Sequence, residues 1–162
     1  MNLEQYKTLW DAEAKTPEGT VRLYLLAILE HFKEQNPEGK KMIALGLPKD
    51  EIDASGEPGD GQRLALSQFG RQIQGTQFEG AIAASYLGGT PQNGYAHDPN
   101  ARLQINEPLS HRADRDAKLF IQSAGKDSPS PVSLKRNAEG HWKIFDASSL
   151  FTGVRPAESD DF

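Results

Sequence analysis

The stretch from Ala117 to Ala147 constrains the fold most. It contains three runs, Ala-Lys-Leu-Phe-Ile-Gln-Ser-Ala, Pro-Val-Ser-Leu-Lys-Arg and His-Trp-Lys-Ile-Phe-Asp-Ala, joined by Gly-Lys-Asp-Ser-Pro-Ser and Asn-Ala-Glu-Gly. Val132 and Leu134 alternate with Ser133 and Lys135, and Trp142 and Ile144 alternate with Lys143 and Phe145. A period of two gives each run one face for a core, and the joints carry the residues that break strands and close hairpins. Three consecutive antiparallel strands are therefore predicted.

Such a sheet needs a cover, and the N-terminal third supplies it. Leu3, Tyr6, Leu9 and Trp10 recur at helical spacing, with Trp10 as the expected anchor. Thr16-Pro17-Glu18 then reads as an N-cap, a proline at the first helical position and an acid at the positive end of the dipole. Val21, Leu25, Ile28, Leu29 and Phe32 form the stripe of a helix expected from about Pro17 to Gln35, before Asn36-Pro37 stops it. Lys40 to Leu45 allows one or two further turns. Lys49 to Gly61 reads as an exposed acidic loop, Leu64 to Gly75 as another helix, Phe78 to Leu87 and Ala101 to Asn106 as strands, and Ser110 to Asp116 as a charged connection. On the Phe78–Leu87 strand, Ile82, Ala84 and Tyr86 would share a face. The expected architecture is α+β: N-terminal helices packed on one face of a curved antiparallel sheet of four to five strands. Residues 1–156 are expected to form one domain, and 157–162 a frayed tail.

Composition narrows the function classes. Eighteen Lys and Arg against 23 Asp and Glu leave a net charge of -5, so no general field draws the chain to nucleic acid or an anionic membrane. The absence of cysteine removes disulfides, thiolate metal sites and a cysteine nucleophile. No apolar run reaches about 18 residues and none of signal-peptide length opens the chain, so a soluble cytoplasmic protein is expected, without a cofactor.

The Thr-Pro-Glu-Gly-Thr-Val-Arg helix start and the Val-Ser-Leu-Lys-Arg-Asn…Gly-His-Trp-Lys-Ile strand pair resemble the cystatin-like cone of the nuclear transport factor two-like superfamily. More closely, Leu87–Tyr95, Ser123–Pro129 and Ser148-Ser149-Leu150 with Gly153-Val154-Arg155-Pro156 are similar to segments of a bacterial domain-of-unknown-function family. That resemblance implies no activity and no catalytic residues.

No motif specifies a chemistry. The loop from Gly88 to Tyr95 would let backbone approach a ligand that Tyr95 stacks upon, or it is a wide turn to which Gly89, Asn93 and Gly94 give positive φ angles. No phosphate-binding glycine pattern and no G-x-S-x-G elbow occurs. Asp53 to Gly61 has oxygen side chains at alternate positions, but Pro58 occupies the glycine place of a calcium loop and Leu64 that of its closing Glu. His31, His97, His111 and His141 lack metal-ligand spacing, so no metal site is expected. His111 to Asp116 holds either an acid–base group beside a pocket or a salt-laced turn. The candidate ligand-binding residues are thus Tyr95, Asn93, His97 and His111, with no catalytic residue assigned. The expected function is a non-enzymatic module binding a protein or small molecule; the alternative is a small-molecule hydrolase, isomerase or lyase with its site between helix and sheet. A homodimer is expected through the second sheet face, with Phe120, Phe145 or Tyr86 upon it.

Overall fold

The computed structural model describes residues 1–49 and 80–159. The expected loop beyond Lys49, the expected helix from Leu64 to Gly75 and residues 160–162 lie outside them.

Helix α1 (Leu3–Glu13) starts at a reciprocal cap, in which Asn2 Oδ1 accepts from Gln5 N at 2.8 Å and Gln5 Oε1 accepts from Asn2 N at 2.9 Å. Helix α2 (Pro17–Phe32) starts where Thr16 Oγ1 accepts from Gly19 N, as its sequence predicts. The two helices approach so closely here that a Cβ on Gly19 would lie 1.9 Å from the Glu13 carbonyl oxygen, so only glycine fits. Helix α3 (Gly39–Leu45) and α1 both pack on α2, which buries Val21, Leu23, Tyr24, Leu25, Ile28 and Leu29. Burial on almost every side makes α2 the central helix.

The sheet is open and entirely antiparallel. Strands β3 (Asp116–Gln122), β4 (Ser130–Arg136) and β5 (Trp142–Asp146) form the predicted meander, and β1 (Gln104–Ile105) and β2 (His111–Arg112) both pair with β3. Leu119, Ile121, Val132, Leu134, Trp142 and Ile144 are buried on its inner face, against which α2 packs through β3 and β5. A helix-to-sheet hydrogen bond, Thr20 Oγ1 to the Trp142 carbonyl at 2.9 Å, fixes their separation. The outward N–H groups of β5 are not left to recruit another strand: Trp142 N donates to Ala14 O and Ile144 N to Gly46 O.

The segment expected as a strand from Phe78 to Leu87 differs. Residues 80–87 are all buried, so no alternation exists there, and Ala81–Ala84 is a helical turn, α4. Three alanines without β-branching favour that turn, and Ser85 Oγ closes it by donating to the Ile82 carbonyl at 2.6 Å. Tyr86 accordingly sits in the core rather than on the outer sheet face, its hydroxyl donating to Leu150 O. The expected strand from Ala101 pairs only at Gln104–Ile105, and the expected charged connection contains β2. Residues between them bow away from β3, and Ser110 Oγ takes the place of a ladder carbonyl by accepting from Phe120 N at 3.0 Å. After β5 a 3-10 turn, Ser148–Phe151, buries Leu150.

Candidate binding site

The structure does not gather the four residues singled out from sequence into one site: Asn93 and Tyr95 share a loop, while His97 and His111 stand in separate surroundings. Asn93 organises its own loop: its Oδ1 accepts from Thr90 N and Ala96 N, and its Nδ2 donates to Gly88 O. That network holds Gly94 and Tyr95 at φ 68° and 58°. Tyr95 is buried, and its hydroxyl donates to the Arg155 carbonyl, tying the loop to the C-terminal segment. His97 lines a cavity of about 530 Å3 with Tyr6, Leu29, Glu30 and Glu34. Its Nδ1 lies 3.2 Å from Lys33 Nζ; burial and then the Lys33 charge hold its pKa below the ordinary value. His111 stands exposed on β2, 3.4 Å from Asp116.

At one end of the β3–β4–β5 meander, polar side chains saturate one another. Ser123 Oγ donates to Ser85 Oγ at 2.6 Å and accepts from Gly125 N. Lys126 Nζ donates to Ser130 Oγ at 2.9 Å and to Ser149 O at 2.6 Å, and Ser130 Oγ lies 3.1 Å from Tyr86 OH. Burial pushes the Lys126 amine down to about 8. A serine beside such a lysine is an arrangement that can activate a nucleophile. Here the amine is turned to main-chain carbonyls, and Ser130 is buried within β4, so the cluster clamps the C-terminal turn.

The other end of the meander is built differently. Asn137 Oδ1 accepts from Glu139 N and His141 N, and Gly140 at φ 86° completes the turn between β4 and β5. Two cavities flank this turn. One, of about 520 Å3, is lined by Arg115, Arg136 and the turn; the other, of about 510 Å3, by Trp10, Asp11, His141 and Lys143 among others. Trp10 is presented by the buried face of α1, and the ring centroids of Trp10 and His141 lie 5.8 Å apart. Lys143 Nζ stands 5.2 Å from the Trp10 ring and donates to Leu45 O. His141 lies between Asp11, at 3.6 Å, and Glu139, at 3.8 Å, yet its buried Nε2 makes no hydrogen bond. Burial, followed by the charge of Lys15, lowers its pKa, against the pull of the two carboxylates. Among the described residues that line the two cavities, Lys7, Lys49, Lys143, Arg115 and Arg136 are cationic, and Asp11 and Glu139 carry carboxylates.

A family model described as "Domain of unknown function (DUF6935)" matches residues 1–158. The chain belongs to that family. No curated protein and no solved structure is similar enough to match. Membership in DUF6935 agrees with the unknown-function family that the Leu87–Tyr95, Ser123–Pro129 and Ser148–Pro156 segments resemble, and it assigns no chemistry to the turn cleft. Among the described residues, no group of three or more His, Asp or Glu side chains is placed to hold a metal ion, and no helix is long and apolar enough to cross a membrane. Sequence reasoning missed the cleft because its cations come from α1, α3's exit, β3's approach and both sides of one turn. The signal that was present is the position of His141 directly after an Asn-to-Gly turn and before a tryptophan.

Proposed function

We propose that this protein is a non-enzymatic binding module whose recognition site is the cleft around the β4–β5 turn. One observation carries the reading: among the described residues that line the cleft, five side chains are cationic and two are carboxylates, in a chain whose net charge is -5. A surplus opposite in sign to the whole molecule concentrates a ligand at one place. Helices laid on one face of an open antiparallel sheet also support kinship with the cystatin-like cone. The enzymatic alternative has less support, because Val21, Leu25, Ile28, Leu119, Val132 and Leu134 fill the space between α2 and the sheet where its site would lie.

A thermal-shift screen of small metabolites against the full chain tests the reading. A ligand that raises the melting temperature of the parent protein, and fails to do so when Lys143 or Arg115 is replaced, supports it. A screen without any hit, followed by failure of Trp10 fluorescence to respond to the same compounds, counts against it. The outer sheet face is a second contact surface in this proposal, with Phe145 41% exposed on β5 and Phe120 half-buried on β3. Lys135 and Lys118 lie over those rings at 4.7 and 5.6 Å. Light scattering decides whether it joins two copies: a mass near 17.8 kDa at every dilution removes the dimer.

A further inference from the structure

Resting on that reading, we infer that the ligand of the cleft is a phosphate-bearing small anion, held at its charged end by Arg115 and Arg136. The two arginines meet at one corner of the sheet. Arg115 immediately precedes β3, Arg136 ends β4, and Arg136 N donates to Arg115 O at 2.9 Å, so their backbones are locked together while both side chains line one cavity. Two like charges that line one cavity repel each other, and among the described residues little offsets it. Among the described residues Arg136 has an ion pair only with Asp114, at 3.4 Å, whose carboxylate is 85% exposed and so contributes little. Among the described residues the Arg115 guanidinium makes no hydrogen bond or ion pair.

Guanidinium groups present planar forks of N–H donors that match phosphate oxygens two at a time. A monovalent carboxylate would neutralise one of the pair; a phosphate carries enough charge for both. Beyond the turn the second cavity adds Lys143, Lys7 and Lys49 with the apolar edge of Trp10, which suits the remainder of a phosphorylated metabolite better than a bare ion. Glu139 is the carboxylate common to both cavities and works against any anion there.

Titration calorimetry with inorganic pyrophosphate as the probe, on the full chain at low and moderate salt, tests the assignment. Binding should weaken about tenfold in Arg115→Ala and again in Arg136→Ala, the loss expected for a charged hydrogen-bonding group. Glu139→Gln should bind two- to threefold more tightly, and added salt should weaken all three. Unchanged denaturation midpoints in the variants confirm that folding is not the cause. Pyrophosphate binding that is absent in the parent protein, or equal in the parent and the arginine variants, overturns the inference. If pyrophosphate is silent while an uncharged or cationic metabolite shifts the melting temperature and quenches Trp10, the phosphate assignment fails and the binding module stands. If every compound is silent, both fall.

Discussion

The two ends of the β3–β4–β5 meander hold similar kinds of side chain and use them in opposite ways. At the end where Gln122, Ser130 and Asp146 lie, each hydroxyl and amine of Ser85, Ser123, Tyr86, Ser130 and Lys126 has a partner inside the protein. At the end where Asp116, Arg136 and Trp142 lie, the Arg115 guanidinium has no hydrogen bond or ion pair among the described residues, and His141 Nε2 has the Asp11 carboxylate at 3.6 Å but no hydrogen bond. Buried polar groups that satisfy one another rigidify a fold, whereas an exposed guanidinium such as that of Arg115 keeps its donors for water or a ligand. The difference separates a clamp from the proposed binding site even though the clamp, with its lysine–serine pair, has the more familiar chemical look.

The largest effect expected concerns the floor of the cleft end. Trp142 is buried under α2, and both its backbone groups are bonded, to Ala14 and Thr20. Trp142→Ala should cost about 3–5 kcal/mol in urea denaturation. An unchanged midpoint would mean that the cleft end lacks a packed floor, and the contrast between filling and lining side chains would be lost there.

Gly125→Ala probes the clamp. An added Cβ would lie 2.7 Å from both the Tyr95 hydroxyl oxygen and Val154 Cβ, so either the tyrosine or the tail must move. Overpacking of this kind costs about 1–3 kcal/mol. Faster proteolysis of the segment after Leu150 should accompany the loss. A variant as stable as the parent, with the tail still protected, would show that the tail is not held by this contact.

What the sequence made legible follows the same division. The meander, α1 and α2 were readable because alternation, Asn2 and Thr16-Pro17 act locally, each within a few residues. Helix α4 was misread because a fully buried segment has no polar face, and without one a strand and a helix share a pattern. Strand β2 was missed because its continuity with β1 depends on Ser110 reaching Phe120, ten residues away. Asn93 and Tyr95 drew attention by residue type, yet the types that build turns are also those that meet ligands. The cleft brings Lys7 together with Lys143, a juxtaposition that only the tertiary fold creates.

The pH responses of the two ends share a sign and differ in window, which sharpens the comparison. Lys126 has a folded pKa of about 8 against an ordinary 10.5, so between these values the unfolded chain holds the proton more often and stability rises with pH. Lys126→Met should lack that rise between pH 8 and 9.5; taking the difference between the two proteins cancels the buried tyrosines Tyr6, Tyr24 and Tyr86, which act in the other direction at higher pH. His141 is also depressed, below 6.5, so its contribution is present above that value and is lost as acid protonates first the unfolded and then the folded ring. His141→Gln should flatten the acid limb of the stability curve. Identical limbs in parent and variant at either end would break the assignment for that end.

The smallest effect is expected from Arg115→Ala, and its smallness matters. A guanidinium without an internal partner gives up no hydrogen bond when removed, and the variant relieves repulsion from Arg136, locked beside it through the Arg136 N to Arg115 O bond. Surface changes of this sort stay within about 0.5 kcal/mol, and relief of a like-charge pair places the sign on the stabilising side. Urea denaturation at low salt, where the repulsion is least screened, should give a midpoint equal to or slightly above the parent's with the same slope, and the gain should vanish at high salt. A loss of more than about 1 kcal/mol would mean that Arg115 holds the fold together, as Lys126 does at the far end. The two ends of the meander would then be two clamps, and the cleft would lose its claim to an outside partner.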